Sequence, residues 1–125
     1  MATAVTAVRG LIRGQGWPVY AELPPGDARP PMVFVRAAGA EVLDRGMGDS
    51  WSLTRHEVEV EVLAKSAEAA SAMRAEALAA LDGAQVGRFR AWFEIGGGVE
   101  TDPDTQTVAA VDVYRVIEER ASGGI

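Results

Sequence analysis

A chain of 125 residues without a cysteine fits one domain able to bury about two-thirds of the surface that its unfolded form exposes, and excludes disulfides, thiolate metal sites and cysteine nucleophiles. Twelve Lys and Arg against eighteen Asp and Glu leave a formal net charge of −6, the wrong sign for a domain that holds nucleic acid by neutralising phosphates. No apolar run is long enough to span a bilayer, and Met1-Ala2-Thr3-Ala4-Val5 has no charged region ahead of an apolar one, so a soluble chain with no cleavable signal and no membrane partner is expected.

Between Thr3 and Arg13 the residues Val5, Val8 and Ile12 recur at helical spacing, with Leu11 flanking, and Gly14-Gln15-Gly16 marks the end of a short first helix. Trp17 to Leu23 is rich in aromatic and branched residues and carries Pro18 near its start, which predicts an edge strand. Four prolines between Pro24 and Pro31 predict an exposed loop. Met32 to Arg36 reads as a buried strand, which Glu41-Val42-Leu43 continues or pairs with after a bend at Ala38-Gly39. Asp44 to Ser50 reads as a glycine-rich loop, and Trp51 follows it.

The chain is organised around the stretch from Arg55 to Asp82. Successive side chains of a strand leave opposite faces, so Val58, Val60 and Val62 share one face while Glu57, Glu59 and Glu61 share the other. Ser66 to Asp82 predicts a helix, with Ser66 as its cap, Glu68 in the first turn and Gly83 at the stop. Its Ala70, Met73, Ala77 and Leu81 are expected to lie against the valines. Beyond it, Phe89, Ala91, Phe93 and Ile95 alternate with polar residues and Trp92 in a strand that Gly96-Gly97-Gly98 should end. Thr101 to Asp104 is turn chemistry, Thr107 to Ile117 a final strand in which Val111, Val113 and Ile117 share a face, and residues 118–125 a fraying tail. The expected fold is a single α+β domain over 1–125, with one twisted, mainly antiparallel sheet and two helices packed on one face.

Few constellations promise chemistry. His56, the only histidine, has no fellow ligand at metal spacing and no serine elbow, and reads as a hydrogen-bonded residue at the margin of the core. Gly96-Gly97-Gly98 is followed by two acids and a proline, not by the helix a phosphate cradle requires. Asp102 and Asp104 read as turn formers short of the oxygens a calcium ion needs. These residues point to no catalytic set, no cofactor and no metal site. Glu57, Glu59 and Glu61, about 7 Å apart along the strand, are either the wet side of a sheet or the lining of a water-filled channel, because three like charges repel unless they look into water. Trp17, Met47 and Trp51 lie beside loops, as interface anchors or as lids on the core. Ala72, Ala75 and Ala79 leave the outer face of the second helix open to close approach by a neighbour.

The order of short helix, Trp/Tyr-containing strand, proline-rich loop, Met32-Val33-Phe34-Val35, glycine/aspartate loop, then Arg55 to Val62 running into Lys65-Ser66-Ala67-Glu68-Ala69-Ala70 resembles the tail terminator (tail completion) proteins of long-tailed bacteriophages. The resemblance implies a non-enzymatic structural protein of the virion, without cofactor, assembled in the host cytoplasm as a homo-oligomeric ring, expected to be a hexamer. Such a ring caps the tail tube protein at the head-proximal end of the tail, stops tube growth and faces the head connector protein. DNA would pass through it without specific binding, along Glu57, Glu59 and Glu61. A different head-tail connector or neck protein is the alternative, and a small-molecule-binding α+β domain a more distant one.

Overall fold

The computed structural model describes residues 3–20, 29–45 and 51–121, with the backbone alone for Asp44, Arg45, Trp51 and Ala121. The elements run α1 (Ala4–Arg13), β1 (Val19–Tyr20), β2 (Met32–Arg45), β3 (Trp51–Ala64), α2 (Ala67–Leu81), β4 (Gln85–Val86), β5 (Phe89–Thr101) and β6 (Val108–Ala121). The strands form one six-stranded sheet in the order β1-β2-β3-β6-β5-β4. All neighbours are antiparallel except β1 and β2, which are parallel. This is the α+β architecture that the patterning predicts. The parallel pair departs from it: eleven residues separate β1 from β2, more than the tight turn that would make the two strands antiparallel.

Both helices begin at hydroxyl caps. Thr3 accepts from the Thr6 amide at 3.1 Å while the Thr6 hydroxyl accepts from the Thr3 amide at 2.7 Å, so two amides that lack helical partners are satisfied reciprocally. Ser66 accepts from the Ala69 amide at 3.1 Å. At the other end Gly83 takes a φ of +80°, which costs a residue without a Cβ little, and its amide donates to the Ala91 carbonyl at 2.8 Å. The end of the helix is thereby tied to β5.

One buried cluster joins both helices to one face of the sheet. Val8 and Ile12 of α1 and Ala70, Met73, Ala77 and Leu81 of α2 meet Val33 and Val35 of β2, Val58, Val60 and Val62 of β3, and Ala110, Tyr114 and Val116 of β6. The inward valines and the four helix residues are those expected from spacing. The phenol of Tyr114 is fully buried with the ring of Phe93 edge-on at 5.8 Å. Burial, then Asp112 and Asp82, push its ionisation well above the ordinary range.

Three expectations are corrected. Gly96-Gly97-Gly98 does not end a strand: β5 continues to Thr101, and the glycines make an irregularity between Gly96 and Val99. A Cβ on Gly97 would run into the Val111 carbonyl, so the residue is there for close backbone approach within the ladder. An earlier bulge between Phe93 and Ile95 moves Ile95 beside Val113, off the face that Phe89 and Ala91 share. Residues 118–121 belong to β6, which pairs with β3 as far as Ala121 opposite Trp51, and not to a tail. Of the two alternatives for Glu41-Val42-Leu43 the first holds: β2 runs on through them, with a bulge between Ala37 and Gly39 at the predicted bend. Residues 21–28, the end of the predicted edge strand and most of the predicted proline loop, lie outside the described residues, as do Met47 and residues 122–125.

Val60 is 2 % exposed and sits opposite Val35 in the centre of the sheet. Val60→Asp is expected to lower stability by several kcal/mol, because an inward carboxylate would be desolvated beside the buried Asp112, which already takes the Arg74 fork. A soluble variant that melts cooperatively near the wild-type temperature would show that this face is not the core.

Candidate assembly surface

The sheet face away from the helices collects the charged and aromatic side chains. Odd-numbered residues of β3 and β6 alternate across it, Glu61 beside Val111, Glu59 beside Val113, Glu57 beside Arg115 and Arg55 beside Ile117. The apolar set Val111, Val113 and Ile117 therefore lies among the carboxylates and not against the helices. Nor do the three glutamates form an unpaired row. Arg36 of β2 donates to Glu59 at 3.1 Å and to Glu61 at 2.7 Å. Arg55 donates to Glu57 at 3.1 Å and approaches Glu94 at 3.6 Å. All three glutamates are half-buried, and their mutual repulsion is relieved by guanidinium groups as well as by water. Beside them, Arg115 and Arg90 stand over the Trp92 ring at 5.3 and 6.0 Å. Tyr20 meets Phe34 at 5.9 Å on the same face.

Two buried carboxylates lie on the helix side. Asp112 takes both nitrogens of the Arg74 fork, Nε at 3.0 Å and Nη2 at 2.5 Å, a bidentate clip that ties α2 to β6. A Cβ at Gly96 would press on the Arg74 guanidinium at 3.2 Å and touch the Asp112 carboxylate at 3.4 Å. Glu118 accepts from Arg88 Nε at 2.6 Å and pairs with His56 Nε2 at 2.8 Å. These groups line an open cleft of about 470 Å³ that reaches the start of α1 at Thr3 and Ala4. His56, edge-on to Phe89 at 6.3 Å, is thus a hydrogen-bonded residue at the core margin. Its Glu118 partner, 62 residues away, has no signature in the sequence. Among the described residues no three His, Asp or Glu side chains gather as a metal site.

The remaining candidates are scattered. Trp17 is half-buried and packs against the core cluster. Ala72, Ala75 and Ala79 are exposed on the outer side of α2, with Leu78 beside them. Trp51 begins β3, and Met47 lies outside the described residues. Sequence reasoning missed Arg36, Arg55, Trp92 and Arg115, because their roles depend on which strands are neighbours. The only sequence signal for them is the charge opposite to the glutamates on adjoining strands.

A two-helix, six-stranded subunit whose two buried carboxylates are held by Arg74, Arg88 and His56, and with a mixed apolar, aromatic and charged outer face, has the make-up of an assembly component. Residues 2–119 match the family described as Tail completion protein gp17. The chain belongs to that family. It is accordingly a structural protein of a phage-type tail and a component of the virion. Among solved structures, a chain of the virion of a native gene transfer agent particle shares the fold, with a TM-score of 0.66 and 21 % identity over 94 % of this chain and 99 % of that one. A comparison with curated proteins finds no match.

The Glu118 cluster sets a pH dependence. Burial opposes ionisation of this carboxyl, but the hydrogen bonds from Arg88 and His56 outweigh it and hold the group below its ordinary value of 4.5. A group depressed on folding stabilises above its unfolded pKa, and the contribution is lost as pH falls through the lower, folded value. Glu118→Gln is expected to cost about 1–3 kcal/mol at neutral pH, and to lose less stability than the wild type as the pH drops below 4.5. Urea unfolding of both proteins across that range is the measurement; parallel curves would mean that the cluster contributes nothing.

Proposed function

We propose that this protein closes the head-proximal end of the tail: a homo-oligomeric ring, expected to be a hexamer, that caps the last ring of tube protein, stops its growth and forms the tail side of the head-tail joint. The observation that carries the reading is the family match across residues 2–119. The subunit supports it in two ways. Its ion pairs are consumed in holding strands and helices together, which suits a passive building block. Its exposed small residues Ala72, Ala75 and Ala79 and the ring of Trp17 offer places where a neighbour or the tube can approach closely, as a heterologous ring contact requires. Met47 and Trp51 are assigned to the same contacts. Assembly takes place in the host cytoplasm, and the partners are a second copy of this chain, the tube protein and the head connector protein.

In that ring Glu57, Glu59 and Glu61 face the channel. With Glu41, Glu94 and Glu119 they set six carboxylates on this face against the guanidinium groups of Arg36, Arg55, Arg90 and Arg115, which leaves a surplus of negative charge to repel DNA phosphates and keep them from adhering.

Mixing the protein with purified tail tubes and viewing them by electron microscopy tests the capping role. Caps at one end of each tube and arrested elongation are expected; binding to portal-bearing heads but not to tubes would assign the protein to the connector side. The channel assignment is tested by replacing Glu57, Glu59 and Glu61 together with Gln, which keeps size and hydrogen bonding. Particles carrying the triple variant are expected to assemble but deliver DNA more slowly, and delivery at the wild-type rate would refute the channel assignment.

A further inference from the structure

Among the described residues the sheet has two margins without an outer strand. There β1 pairs with β2 at Val33 and Phe34, and β4 pairs with β5 at Phe89 and Arg90. The Ala91 backbone and the Phe93 amide are met by Gly83, Ala84 and the Asp82 carboxylate. Beyond these, among the described residues, β2 from Ala37 to Arg45 and β5 from Ile95 to Thr101 have a strand neighbour on one side only. Free margins of this length invite pairing with another strand, and monomeric proteins blunt them with Lys, Pro or inward charge. These stretches hold neither Lys nor Pro, and from Ala37 to Leu43 the one charge is Glu41.

The same margins carry the exposed apolar side chains. Val42 and Leu43 on β2 are 48 % and 47 % exposed, and Ile95 and Val99 on β5 are 60 % and 53 % exposed, with Phe93 adjoining at 40 %. A row of unpaired backbone groups and a cluster of uncovered apolar groups thus coincide at two places, and each supplies what the other lacks.

We propose that the free margin of β2 in one copy of this chain pairs with the free margin of β5 in the next, so that the sheets join edge to edge around the ring. This deepens the ring reading above and rests on it. Successive antiparallel pairings, β2 with β3, β3 with β6 and β6 with β5, leave β2 and β5 running in opposite directions. A sheet continued from one copy into the next is therefore antiparallel at the junction. The two margins are different surfaces on one molecule, so the contact is head-to-tail and leaves a free margin at each end until the ring closes. They also lie at diagonal corners. The free part of β2 is beside the β3 residues Ser52 to Val58, whereas the free part of β5 is beside the β6 residues Val108 to Val113. Joining them displaces each copy along its strands, and the strands must tilt against the ring axis, as strands of closed sheets do.

The absence of cysteine makes a cross-linking test clean. Val42→Cys and Ile95→Cys are prepared singly and together, checked for wild-type circular dichroism, and treated with a short bis-maleimide, alone and on tail tubes. The expected result is a covalent dimer from the mixed single variants, a ladder ending at the ring size from the double variant, and no product from either variant alone. In parallel, the double variant Val42→Lys with Ile95→Lys is expected to stay folded and to assemble about tenfold or more less well. A homodimer from Val42→Cys alone, or cross-links only to the tube protein, overturns the proposal. Rings without the mixed cross-link also overturn it and leave the ring itself standing, whereas no oligomer in solution or on tubes removes both.

Discussion

The alternation in β3 governs the subunit. Because successive side chains must leave opposite faces, a strand with Val58, Val60 and Val62 on one side and Glu57, Glu59 and Glu61 on the other can be placed in only one way. The valines require cover, and α1 and α2 supply it; the carboxylates require cations or water, and Arg36 and Arg55 supply part of that. A slip of one residue against β2 or β6 would exchange the faces entirely. The central position of β3, with β2 on one side and β6 on the other, passes its two-sidedness to both neighbours.

Departures from regular pairing are where this plan turns toward assembly. The bulges in β2 near Ala38 and Val42, and in β5 near Glu94 and Gly97, fall on or beside the stretches that lack an outer strand among the described residues. A bulge re-aims the side chains beyond it, and that is how Ile95 comes to stand clear of the core that Phe89 and Ala91 enter. A monomeric domain would gain nothing from apolar groups so displayed. In a protein of the tail completion family they suit a subunit whose final state includes other chains.

The ion pairs divide by burial into two kinds of work. Arg74 with Asp112, and His56 with Arg88 and Glu118, involve carboxylates that are nearly inaccessible, where loss of one partner strands a charge. They fix α2 and the far end of β6 to the sheet. The pairs on the opposite face are a quarter to two-fifths exposed and contribute little stability each, so their arrangement matters more for the potential presented to a partner.

Local pattern was enough for the elements governed by near neighbours. The caps Thr3 and Ser66, the stop at Gly83, the inward residues Ala70, Met73, Ala77 and Leu81, and the two faces of β3 are all set by periodicity and backbone chemistry within a few residues. The family resemblance carried the functional class, since order and texture of elements survive where no single residue is diagnostic. What only the tertiary structure decided is whatever depends on strand neighbours: the parallel β1, the passage of β5 through Gly96-Gly97-Gly98, the extension of β6 to Ala121, the partners of Glu57, Glu59, Glu61, Asp112 and Glu118, and the uncovered margins. The physical reason is that sheet contacts join residues far apart in the chain, and a single bulge reverses the facing of everything after it, so their outcome is not written in any local stretch.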